Sequence, residues 1–85
     1  MKNNKRVGQV ASVLTNAGCQ VSIRDDGVAR IILAEHHGRA VEICPGQHDF
    51  YVECFLPGEE SACTESQEPS SEAAIQLALV WLSQA

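Results

Sequence analysis

The chain has 85 residues, 45% of them hydrophobic and 20% charged, an ordinary globular mix that excludes collagen-like, low-complexity and wholly disordered classes. A chain this short cannot divide its apolar residues between two cores, so residues 1–85 are expected to form a single domain with little stability to spare for a strained catalytic site. The net charge is −5, but residues 1–39 set six bases (Lys2, Lys5, Arg6, Arg24, Arg30, Arg39) against three acids (Asp25, Asp26, Glu35), while residues 40–85 hold eight acids and no Lys or Arg. Such an anionic half repels nucleic acid and anionic lipid and attracts basic surfaces.

From about Lys5 to Ala17, Val7, Val10, Ala11, Leu14 and Ala17 recur at steps of three and four, which stacks them on one helix face. Gly18 ends the helix as a C′ residue. Four strands are expected to follow. With Asp25-Asp26-Gly27 as a three-residue hairpin loop, Ile23 faces Ala29, Val21 faces Ile31 and Cys19 faces Leu33. With His36-His37-Gly38 as a second such loop, Leu33 faces Val41, Ile31 faces Ile43 and Glu35 meets Arg39. A connection of about four residues through Pro45-Gly46-Gln47-His48-Asp49 then sets Ile43 opposite Val52 and Val41 opposite Cys54, and Pro57-Gly58 stops the fourth strand.

The stretch from Gly58 to Ser71 is polar and acidic and reads as a mobile surface connection. Pro69 near a first helical position, Ser70 as N-cap and Glu68 and Glu72 near the positive dipole end predict a helix through about Leu82. The predicted fold is α+β, a two-layer sandwich with a four-stranded antiparallel meander and both helices on one face (α-β-β-β-β-α). Its core face carries Cys19, Val21, Ile23, Ala29, Ile31, Leu33, Val41, Ile43, Phe50, Val52, Cys54 and Leu56. The opposite face mixes Ser22, Arg24, Arg30, Glu42 and Glu53 with Val28, Ile32, Ala40, Tyr51 and Phe55.

No apolar run reaches the ~18 residues a membrane span needs, and the start of the chain lacks a signal-peptide core, so a cytoplasmic protein is expected, with Cys19, Cys44, Cys54 and Cys63 as thiols. Cys44 and His48 have a zinc-like spacing, and Cys54, His36 or His37 would complete a set. The strand pairing points Cys54 and Cys44 to opposite faces, so no metal or other cofactor is expected. Cys63 is the exposed cysteine, but neighbouring glutamates disfavour its thiolate, and the acids lie in a polar loop and not in an apolar pocket. No phosphate-binding or hydrolase motif is present, and the chain reads as a non-enzyme.

The helix–meander–helix order resembles the double-stranded-RNA-binding domain. That family grips phosphate with basic residues at its last helix, where this chain has Glu68, Ser70, Ser71 and Glu72, so direct nucleic-acid binding is not expected. In size and charge the chain is similar to phage-encoded or mobile-element proteins that block host defence complexes, including anti-CRISPR proteins. The reading is a small acidic binding or inhibitory module that presents Asp49, Glu53, Glu59, Glu60, Glu65 and Glu68, with Tyr51 and Phe55, to a basic surface of a nucleic-acid-binding complex, as a mimic of nucleic acid. The alternative is a structural or assembly protein that forms a homodimer or docks through the outer sheet face.

Overall fold

The computed structural model describes residues 2–25, 27 and 30–84. It is an α+β fold with element order α1 (Lys2–Asn16), β1 (Gln20–Asp25), β2 (Arg30–His36), β3 (Arg39–Pro45), β4 (Phe50–Phe55), β5 (Thr64–Glu68) and α2 (Ser71–Leu82). The strands form one antiparallel sheet in the order β1-β2-β3-β4-β5. The described residues form five strands, not the expected four.

α1 buries Val7, Val10 and Leu14, the stripe its spacing predicts. It closes in a Schellman arrangement: Cys19 N donates to Leu14 O at 3.1 Å, Gly18 N donates to Thr15 O at 3.0 Å, and Gly18 takes φ 97°, which glycine adopts without steric cost. α2 starts as its sequence announces. Ser70 is the N-cap, and its Oγ accepts from Ala73 N at 3.1 Å. Ala74, Ala78 and Leu82 form its buried row. α1 lies over β1 and β2, α2 over β3 and β4, and the helices touch each other.

The second hairpin differs from its expected form in a way that reverses one strand. Its loop is His37-Gly38 alone, with φ values of 51° and 86°, both in the left-handed region that a two-residue type I′ turn requires. Ile32 therefore faces Ile43, Ala34 faces Val41, Glu35 faces Ala40 and His36 faces Arg39. Because side chains alternate with period two, this one-residue shift turns β2 over. Ile32 and Ala34 are fully buried, while Ile31 and Leu33 move to the outer face as half-buried residues.

The first hairpin is shifted too: Ile23 pairs with Ile32 and Val21 with Ala34, leaving four residues between Asp25 and Arg30. The expected contact of Ile23 with Ala29 and the outer placement of Val28 lie outside the described residues. Cys19 is buried as expected, but ahead of β1.

The third connection matches its expectation, with Ile43 opposite Val52 and Val41 opposite Cys54. Phe50, Val52 and Cys54 alternate inward and join Ile32, Ala34, Val41 and Ile43 beneath the helices in one apolar cluster. Leu56, expected in that cluster, is 37% exposed beyond the end of β4. The region read as a loop supplies β5, which pairs Thr64 with Cys54 and Glu68 with Phe50. An edge strand needs only backbone partners on one side, so it forms here without an apolar alternation.

Polar ties set α2 on the sheet. Trp81 Nε1 donates to Phe55 O at 3.1 Å, and the Arg39 guanidinium lies 4.6 Å from the Trp81 ring centre. His36 Nδ1 donates to Leu82 O at 3.1 Å, satisfying one of the carbonyls at the C-terminal end of α2.

Candidate functional site

The sheet face away from the helices gathers carboxylates from three strands. Antiparallel pairing sets Glu42 opposite Glu53 and Glu53 opposite Glu65, so three carboxylates from β3, β4 and β5 form one row across the sheet. Neighbouring strands lie about 4.7–4.9 Å apart, and like charges directly opposite destabilise a sheet. Arg24 Nη2 meets one end of the row, 3.5 Å from Glu42 Oε1. Among the described residues the only other ion pair is Arg30–Asp25, at 3.6 Å, so Glu53 and Glu65 belong to none. Tyr51 Oη donates to Glu65 Oε1, which orients that carboxylate at the open edge.

Beside the row runs a groove of about 360 Å³. Leu33, Ala40, Phe55 and Leu56 give it an apolar lining, and Glu35, Glu42, Glu59 and Glu60 bring carboxylates to it. Leu33 lies here because of the two-residue turn, and Phe55 because it alternates with Cys54. Glu59 and Glu60 arrive on the segment after the 57–58 turn, where Gly58 takes φ 77° and Glu59 N donates to Leu56 O at 3.1 Å. An apolar lining beside carboxylates suits the aliphatic stem and charged head of a lysine or arginine.

Of the eight residues singled out in the sequence, Tyr51, Glu53, Phe55 and Glu65 share this outer face, with Glu59 and Glu60 at its groove. Asp49 and Glu68 are elsewhere. Asp49 sits in the β3–β4 loop, where its backbone O accepts from Gly46 N at 2.8 Å and from Arg6 Nη2 at 3.2 Å. Arg6 also donates to Gly46 O at 2.8 Å and lies 4.2 Å from the Phe50 ring centre. Glu68 pairs with Phe50 and shares its inward phase, at half burial. Glu35 and Glu42 were not singled out. Their signal was available in the alternation of β2 and β3 once the turn length is known.

Cys19 and Cys54 are buried, Cys44 is half-buried on the outer face and Cys63 is exposed. Burial raises the pKa of both buried thiols; at Cys54 a hydrogen bond with the Thr64 side chain partly offsets this, and neighbouring Cys63 adds to it. Among the described residues, no group of three or more His, Cys, Asp or Glu side chains is placed to hold a metal ion, and no helix is long and apolar enough to cross a membrane. Comparison of the chain with family models, with curated proteins and with solved structures returned no match.

Proposed function

We propose that this protein is a non-enzymatic binding module that docks its outer sheet face on a basic surface of a partner protein, through Glu42, Glu53 and Glu65 with the groove residues Glu35, Glu59 and Glu60. The observation that carries the reading is the row of three facing carboxylates. Like charges directly opposite destabilise the sheet, and a cationic partner surface relieves that repulsion on binding. Tyr51, Phe55 and Leu33 add apolar contact beside the charges. Competition follows if the partner's Lys and Arg residues also hold phosphate, which extends the reading to an inhibitor that mimics nucleic acid, of the anti-CRISPR kind, acting in the cytoplasm. The carboxylate row favours a basic partner over a second copy on this face, because two such rows repel.

Affinity capture from the source cell with elution by a salt gradient tests the proposal, run in parallel with the Glu42→Gln, Glu53→Gln, Glu65→Gln triple variant. The expected partner elutes as salt rises and binds the triple variant roughly threefold to a hundredfold more weakly, since each of the three exposed charges contributes roughly 0.2–1 kcal/mol. Retention that ignores both salt and the triple substitution removes the electrostatic reading.

A further inference from the structure

The two edges of the sheet differ in chemistry. β5, at one edge, carries Glu65 and Glu68 within five residues, so a second copy set against it would bring four carboxylates together. β1, at the other edge, runs Gln20-Val21-Ser22-Ile23 without a charge, a proline or a break in register, and only then reaches the oppositely charged Arg24 and Asp25. Among the described residues it pairs with β2 alone, which leaves its other edge without a strand neighbour there. Ile23 turns to the core side yet is 42% exposed, whereas Ile32 directly across β2 is fully buried. The apolar layer is thus uncovered at this edge, and the usual devices that stop strand addition are missing from the middle of β1.

We propose that a second copy of this chain occupies the β1 edge, the two β1 strands running antiparallel about a two-fold axis so that one sheet continues through both protomers. Charge selects this occupant. With the axis near Ser22 and Ile23, Arg24 and Asp25 of each strand lie beside the uncharged start of the other, and no like charges meet. Elsewhere the net charge of −5 and the carboxylate row set copies against each other. A pairing of β1 with β5 of the next copy would match Arg24 to glutamate but would run head to tail, ending only if the rotation per copy completed a ring, whereas the two-fold arrangement closes with two chains. It also keeps both outer faces on the same side of the joined sheet.

Sedimentation equilibrium over a wide concentration range tests this, with wild type, Ile23→Lys and Glu65→Gln. The expected result is twice the 9.2 kDa of one chain for wild type and Glu65→Gln, and a single chain for Ile23→Lys at the same concentration. Amide exchange across β1 is expected to be slower in wild type than in Ile23→Lys. If Ile23→Lys does not fold, Ser22→Lys, exposed and on the other side of the same edge, is expected to give the single chain instead. A wild type that stays at one chain throughout, a dimer indifferent to the folded lysine variant, or growth without limit each overturns the proposal. None of these results depends on Glu42, Glu53 or Glu65 acting together, so failure here leaves the docking surface to its own test.

Discussion

His37 and Gly38 sit at positive φ, and the conformation of these two residues decides which side of β2 meets the core. Gly38 is held there with its Cα face toward Pro57: a Cβ added at this position would stand 3.3 Å from Pro57 Cβ as well as taking an unfavourable left-handed backbone. Gly38→Ala is therefore expected to cost at least about 1–2 kcal/mol, read as a lower urea midpoint with an unchanged slope. The buried thiols make a second expectation at this scale. In the folded protein the exposed Cys63 is expected to react with a thiol reagent faster than Cys19 and Cys54, which are buried with their pKa raised. The same two groups give the pH dependence a sign. Their pKa is raised in the fold above the ordinary 9.0, so the folded state holds more protons than the unfolded one, and stability falls as pH rises past that value. Replacing Cys19 and Cys54 with Ala should flatten that alkaline limb.

At the level of elements, α2 and β4 are legible in the sequence, while the buried face of β2 and the existence of β5 are not. The cap at Ser70 and the apolar run after it specify α2 by local chemistry, and Ser70→Ala is expected to cost about 1 kcal/mol, measured as a lower melting temperature. Phe50, Val52 and Cys54 alternate without competition, so β4 and its register on β3 follow directly. β2 is ambiguous because Ile31, Ile32, Leu33 and Ala34 are all apolar. Either face of the strand can be buried, and only the turn length decides; His36-His37-Gly38 accommodates a loop of two or of three residues. β5 is hidden for the opposite reason, since Thr64-Glu65-Ser66-Gln67-Glu68 offers no apolar side chain to bury and is held by the backbone ladder on β4. Its amides are expected to exchange faster than those of β3 and β4, as an exposed edge supported by few apolar contacts opens at low free energy.

For the molecule as a whole, the asymmetry between the basic first half and the acidic second half is plain in the sequence, but its arrangement in space is not. Composition alone treats Asp49, Glu59 and Glu68 as equivalent. Folding separates them: Asp49 goes to the β3–β4 loop that Arg6 holds, Glu68 to the inner phase of β5, and Glu42, which lies in an apolar-rich strand, to one end of the carboxylate row. The docking surface depends on that row, which nuclear magnetic resonance titration with a short arginine- and lysine-rich peptide probes residue by residue. The predicted result is chemical-shift change concentrated at the backbone amides of Leu33, Glu42, Glu53, Phe55 and Glu65, fading as salt is raised and absent from the Glu42→Gln, Glu53→Gln, Glu65→Gln variant. Change spread evenly over Asp25, Glu68 and Glu72, or undiminished in the variant, would contradict it.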